Sequence, residues 1–372
     1  MIYLDANAAE ILRPEARQAV MATLDLVGNP TSVHRAGREA RRVLEDARDV
    51  IAARFGAIPG NVVFTSGGTE ADAAAIYALG AGRRLIIGAT EHDAVRSAAP
   101  GASVLPVDAQ GIADLPALRR WLASGSPALV CLMLANNETG ALQPIAEAAI
   151  ICREAGALLH VDAVQAAGRL SVDLAALGAH SLAVSGHKLG GPKGVGALLL
   201  APEIRSFPPL ISGGGQEQGR RGGTPALPAI AGFAAAIRAA DEGAANAGIG
   251  LALLRDEIER EAVAVGAQVL GGGVARLANT TCLALPGLRA DAQVIALDLM
   301  GFAVSAGAAC SSGKVAESHV LRAMGFGALA GQAIRVSLPW NAGASDVAEF
   351  VAGYAQMAER LRAALAVSSR TA

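Results

Sequence analysis

The sequence predicts an α/β fold, with a mainly parallel central sheet flanked by helices and a smaller α+β domain toward the C-terminus. Three observations carry this expectation. Short aliphatic and β-branched runs alternate with helix-period segments through the first half of the chain. A Gly- and Pro-rich stretch, Phe207–Pro228, ends the alternation. Beyond it come a long amphipathic pattern, two strand-like runs and a closing helix pattern. Strands that alternate with helices form parallel sheets covered on both faces, whereas segregated strands and helices build an α+β unit.

In chain order, strands are expected at Val62–Thr65, Leu85–Gly88, Ser103–Val107, Leu129–Leu134, Leu158–Val161, Leu182–Ser185 and Gly196–Leu200. Each is a short apolar run bounded by turn residues. Helices are expected at Arg35–Phe55, Thr69–Leu79, Pro116–Leu122 and Ile145–Ala155, from their helical periodicity. The C-terminal unit takes a helix at Leu251–Val265, strands at Thr280–Leu285 and Ala333–Leu338, and a helix at Asp346–Leu365. A boundary near residue 245 then separates a large domain, 13–245, from a small one built of 1–12 and 246–372. Ligands of such sheets sit at the carboxyl ends of the strands, so polar residues just after strands are the ones to read.

Composition narrows the function classes. With 372 residues the chain can hold two domains. Its 31 basic and 33 acidic residues balance, which argues against nucleic-acid binding, where one face is strongly basic. The longest apolar run, Ala128–Ala135, falls far short of the ~18 residues of a membrane span. Met1–Asp5 shows no basic segment leading into an apolar one, so a soluble, cytoplasmic protein is expected. The four cysteines, Cys131, Cys152, Cys282 and Cys310, have neither metal-ligand spacing nor the look of a disulfide framework. Only three lysines occur, Lys188, Lys193 and Lys314, although arginine is abundant. A retained lysine is a candidate for what arginine cannot do, losing a proton and attacking a carbonyl. The arginines at 35, 38, 41, 42 and 48 are interleaved with Glu39, Glu45, Asp46 and Asp49 and read as a solvated, ion-paired helix face.

Five segments could carry chemistry. Lys188 follows the strand-like run ending at Ser185 and precedes a Gly-rich loop; it is a desolvated amine or a surface turn lysine. Asp162 closes another strand-like run with Gln165 three residues on; it is the partner of a cationic heterocycle or a helix cap. The run Phe64–Glu70 (FTSGGTE) reads as strand, Gly pair and helix start, an anion-binding arrangement or a plain turn. His92, after the strand at Leu85–Gly88, can stack on an aromatic ligand and move protons, or serve as a hydrogen-bonded structural histidine. Cys310, in the small-residue run Ser305–Lys314, is the cysteine expected to be exposed and reactive, whereas Cys131, Cys152 and Cys282 sit in apolar patterns. A lysine for an imine, an acid for a pyridine nitrogen, an amide for a phenolic oxygen, an imidazole for a ring face and a helix start for phosphate together describe pyridoxal phosphate.

These segments resemble the cysteine desulfurases of the NifS/IscS type, within the class V aminotransferase group of fold type I pyridoxal-phosphate enzymes. The resemblance runs over nearly the whole chain through Gly28–His34, Phe64–Glu70, Thr90–His92, Asn136–Gly140, His160–Gln165, Ser185–Lys188, Gly213–Glu217, Arg221–Thr224, Ser305–Ser312 and Ile334–Ser337, in this order. It implies that Lys188 carries the cofactor as an imine, that Asp162 and Gln165 meet its ring nitrogen and ring hydroxyl, and that His92 stacks on the ring. Gly68, Thr69, Ser185 and His187 would hold the phosphate, with Thr224 reaching across from the second subunit of a homodimer. Asn137, beside the cofactor, and Arg335 would bind the substrate carboxylate. Lys188, His92 and Cys310 would be the catalytic residues. The implied reaction takes sulfur from L-cysteine, leaves L-alanine, and passes a Cys310 persulfide to an acceptor or scaffold protein, for iron–sulfur cluster assembly or thiolation. A selenocysteine lyase or another class V enzyme is the alternative. The family usually opens with two threonines followed by a proline, and this chain departs from it there, with Asp5–Ile11 (DANAAEI) instead.

Overall fold

A seven-stranded sheet forms the centre of the larger part of the molecule. The computed structural model describes residues 1–307 and 317–371, with the side chains of 242–247 and 367–371 outside that description. The strands lie in the order Val62–Thr65, Gly196–Leu200, Ser181–Ser185, Leu158–Asp162, Ala128–Met133, Arg84–Gly88 and Ser103–Leu105. Neighbours from Ser181–Ser185 to Ser103–Leu105 are parallel, and Gly196–Leu200 runs antiparallel to both of its neighbours. The link from Ser185 to Gly196 contains no crossover α-helix, and without one a chain returns antiparallel.

Successive side chains of a strand point to opposite faces, and the two faces have separate cores. Val62, Phe64, Val130, Leu132, Leu159 and Val161 pack with Ala40, Leu44, Leu118 and Ile145 from the helices Arg35–Arg54, Leu115–Leu122 and Ile145–Glu154. Val63, Leu129, Cys131 and Ala183 pack on the other side against Ala71, Ala75 and Leu79 of the helix Gly68–Leu79.

The C-terminal part is an antiparallel sheet of Ser305–Ala306, Ala333–Ser337, Thr280–Ala284 and Gln268–Val269, backed by the helices Ala290–Leu299 and Ala344–Thr371. The chain start belongs to the same neighbourhood. Ile2–Tyr3 pairs with Phe302–Ala303, and Leu4 is buried in the C-terminal core. Residues beyond Leu4 then run from Ser337 to the Lys188 turn, where the Glu10 N–H donates to the His187 carbonyl at 2.7 Å.

Several expectations need correction. The helix expected at Leu251–Val265 starts at Leu227 and runs unbroken to Ala264, so the expected boundary near residue 245 falls within a helix. Alanine favours helix without marking a face, so the Ala-rich first half shows no periodicity to read. The short helices Pro14–Leu24, Asp93–Ala98 and His319–Ala323 were not legible either. Arg48 is not part of a solvated face. It is buried, forks onto Glu217 at 2.7 and 2.9 Å and donates to the Val62 carbonyl. No helix among the described residues is long and apolar enough to cross a membrane.

Candidate active site

Strand carboxyl ends and the start of the helix Gly68–Leu79 enclose a cavity of about 230 Å³. Gly68, Thr69, His92, Asn137, Asp162, Gln165, Ser185, His187 and Lys188 all line it. Lys188 stands in the tight turn directly after Ser181–Ser185, and its Nζ donates to the carbonyls of Asn7 at 2.6 Å and Ala8 at 3.0 Å. Gly186 allows the turn, because a Cβ there would fall 2.8 Å from both the Pro192 carbonyl oxygen and Val195.

Asp162 ends its strand buried, with the Val164 N–H donating to Oδ1 at 2.9 Å. No lysine or arginine among the described residues pairs with it. Burial, reinforced by the nearby Asp72 carboxyl, pushes its pKa up to about 7. Asp72 projects from the helix Gly68–Leu79 into the same cavity, and burial lifts its carboxyl to about 7 as well. Its Oδ1 lies 3.1 Å from His160 Nε2, while His160 Nδ1 meets the Ser181 hydroxyl at 2.8 Å. Burial drops His160 to about 4, so this contact is a hydrogen bond of an uncharged imidazole and not an ion pair. Asp72 was missed in the sequence. Its one signal was an acid on an alanine face that must be buried.

Two histidines are fixed by their partners. His92 caps the helix Asp93–Ala98, its Nδ1 accepting the Ala94 N–H at 3.1 Å, so the uncharged ring carries its proton on Nε2. The hydrogen-bonded structural reading of His92 holds, and the residue also lines the cavity. His187 Nδ1 lies 3.0 Å from the Ser185 hydroxyl, and burial lowers its pKa to about 4. His187 flanks the open end of the cavity, where the backbone N–H groups of Gly68 and Thr69 begin a twelve-residue helix. A side chain at Gly68 would close this end, since its Cβ would lie 2.6 Å from Val164.

Arg335 and Thr224 do not line the cavity. Arg335 is buried on Ala333–Ser337, donates to Asp5 Oδ1 at 2.6 Å and to the Asn137 carbonyl at 3.1 Å, and leaves Nε without a partner among the described residues. Thr224 is exposed and belongs to a separate small pocket with Ser66 and Arg221. Cys310 lies outside the described residues. The chain on either side of residues 308–316 meets Glu138, the neighbour of Asn137. The Ser318 hydroxyl donates to Glu138 Oε2 at 2.6 Å, and a Cβ on Gly307 would fall 2.2 Å from that oxygen. Cys131, Cys152 and Cys282 are buried, and burial raises all three thiols, Cys152 to about 12. They are poor nucleophiles.

The residues present fit pyridoxal phosphate. A buried carboxyl that no lysine or arginine among the described residues pairs with, an imidazole, a glycine-cradled helix start and an amine face one cavity of suitable size. The buried acids also predict a pH effect in the cofactor-free protein. A carboxyl whose pKa is raised on folding stabilises the fold below its unfolded value of about 4 and loses that contribution as the pH rises through about 7. Asp72→Asn is therefore expected to gain stability relative to the parent between pH 5.5 and 8, by at most about 1.4 kcal/mol per pH unit. Comparing melting temperatures of the two proteins removes the contributions they share. A difference independent of pH contradicts the buried-acid description.

The model of the aminotransferase class-V family matches residues 2–350. The chain belongs to that family. A cysteine desulfurase of Cereibacter sphaeroides is 42% identical to it, over 97% of each chain. An IscS-like cysteine desulfurase of Mycobacterium tuberculosis is 38% identical over the full length of both. The solved structure of a NifS-like protein from Rickettsia africae superposes with a TM-score of 0.90 at 34% identity, covering 96% of this chain and 99% of that one.

Proposed function

We propose that this chain is a pyridoxal-phosphate-dependent cysteine desulfurase that moves sulfur from L-cysteine to Cys310, releasing L-alanine. The observation that carries the reading is the meeting of the Lys188 amine, the Asp162 carboxyl and the Gln165 amide at one cavity. Full-length similarity to cysteine desulfurases supports the choice of substrate. Bound pyridoxal phosphate supplies an electron sink that weakens the bonds around the α- and β-carbons of an attached amino acid.

The protein residues have separate duties. Asp162 offers a negative partner to the protonated ring nitrogen, which relieves the cost of its own buried charge. Gln165 would meet the ring hydroxyl, His92 the ring, and Gly68, Thr69, Ser185 and His187 would hold the phosphate. Lys188 Nζ holds the cofactor at rest and takes the Cα proton when substrate displaces it. Asn137 and Arg335 take the substrate carboxylate. The Cys310 thiolate attacks the substrate sulfur, so an S–S bond forms as the C–S bond breaks. The electron pair of that bond stays with the carbon skeleton, which picks up a proton and leaves as alanine. An acceptor or scaffold protein then removes the terminal sulfur from Cys310, for iron–sulfur cluster assembly or thiolation. Residues 13–245 form the cofactor-binding domain, and 1–12 with 246–372 form the domain that bears Cys310. Release of sulfide and alanine from L-cysteine, run in parallel with L-selenocysteine, tests the reading. Neither product from L-cysteine refutes it.

Thr224 belongs to the phosphate site of a second copy, which makes the active unit a homodimer. Its exposure, away from the cavity of its own chain, supports this arrangement. Light scattering is expected to show a dimer at assay concentrations. Thr224→Ala should weaken cofactor affinity about three- to tenfold, the loss of one hydrogen bond. An active monomer would contradict the shared site.

A further inference from the structure

Two buried charges adjoin Gln165 and take no part in the chemistry above. The Glu10 and Arg169 side chains are 5% and 12% exposed and stand 3.6 Å apart. Glu10 Oε1 accepts the Ile11 N–H at 2.9 Å and lies 3.4 Å from the Trp340 nitrogen, which ties the chain start to the C-terminal part. Arg169 Nη1 donates to Gln165 Oε1 at 2.7 Å and to the Gln165 carbonyl at 3.1 Å, and Nη2 donates to the Ala6 carbonyl at 3.3 Å. Burying a guanidinium is costly unless it is paired and hydrogen-bonded, and Glu10 supplies the opposite charge.

The Arg169 contacts decide which way the Gln165 amide points. A guanidinium only donates, so the amide atom facing it is the oxygen. A backbone carbonyl only accepts, so the atom 3.0 Å from the Asn7 oxygen is Nε2. Both contacts give the same orientation. Asn7 takes one hydrogen of Nε2, and the second remains for whatever occupies the cavity.

We propose that Arg169, with Glu10 as its counter-ion, is the positioning residue that keeps the Gln165 amide turned to donate to the ring oxygen of pyridoxal phosphate. The inference rests on the cofactor reading above. An N–H directed at the ring oxygen favours its ionised form, whereas a flipped amide would set oxygen against oxygen.

The test compares Arg169→Met, Arg169→Lys, Gln165→Ala and the Arg169→Met/Gln165→Ala double variant. Cofactor-free protein is titrated with pyridoxal phosphate, and the visible absorbance of the loaded protein is followed against pH. Arg169→Met is expected to weaken cofactor affinity about tenfold and to move the pH midpoint by about one unit, in the same direction as Gln165→Ala. Arg169→Lys keeps a donor and should return toward the parent midpoint. The double variant should add nothing to Gln165→Ala. A parent-like midpoint in Arg169→Met, or additive effects in the double variant, overturns the proposal. If Arg169→Met fails to melt cooperatively, Glu10→Gln takes its place, with a smaller shift of the same sign expected and an unchanged spectrum overturning. A parent protein that takes up no pyridoxal phosphate refutes the cofactor reading and this inference with it. Uptake by the parent with no response to Arg169 refutes the inference alone.

Discussion

Lys188→Ala is expected to lower turnover of L-cysteine by at least about a thousandfold, because in the proposed reaction one side chain both anchors the cofactor and moves the α-proton. The expectation follows from position as much as from residue type. Lys188 stands at the cavity wall with Asp162 and Gln165, and its Nζ reaches the Asn7 and Ala8 carbonyls. Alanine has no amine, and an arginine guanidinium does not lose its proton near neutral pH, so Lys188→Arg should not rescue. Other contacts remain in Lys188→Ala: the Asp162 carboxyl, the Gln165 amide and the helix start at Gly68 and Thr69. Pyridoxal phosphate should therefore still bind, but should dialyse away where the parent retains it. Sulfide release and retained cofactor are the two measurements. Normal turnover in Lys188→Ala would sink the assignment.

Much of this site was legible because its residues follow strands. Asp162 closes Leu158–Asp162 and Lys188 follows Ser181–Ser185, and a parallel sheet brings such ends together without further information. The residues that escaped reading are those whose meaning depends on a distant partner. Asp72 has no evident role until His160, 88 residues away, is placed against it. Arg48 reads as one more exposed arginine until the Gly-rich stretch folds back and sets Glu217 beside it. The Arg335–Asp5 contact joins residues 330 apart through pairing of the chain start with the C-terminal part. Period and propensity are local quantities, and these contacts are not.

The Arg335–Asp5 contact also bears on substrate binding. A buried guanidinium already engaged by a carboxylate would meet the substrate carboxylate with its charge partly offset. Arg335 Nε has no partner among the described residues, and Asn137, whose carbonyl accepts from Nη1, lines the cavity.

Cys310→Ser is expected to separate the two halves of the reaction. In the proposed reaction Lys188 and the cofactor act at the α-carbon, whereas Cys310 acts only on sulfur, so loss of the thiol should leave the first half intact. The variant should keep the cofactor, keep its visible absorbance, and still change spectrum on mixing with L-cysteine. Sulfide release should fall by at least about a hundredfold, because a hydroxyl near neutral pH is a far poorer nucleophile toward sulfur than a thiolate. The other cysteines are not expected to substitute. Cys131, Cys152 and Cys282 are buried, and burial holds their thiols protonated. Mass spectrometry of the parent protein after exposure to L-cysteine should accordingly place the added sulfur on the peptide containing Cys310. Added sulfur on any of the three buried cysteines, or normal desulfurase turnover in Cys310→Ser, would show that the nucleophile is another group.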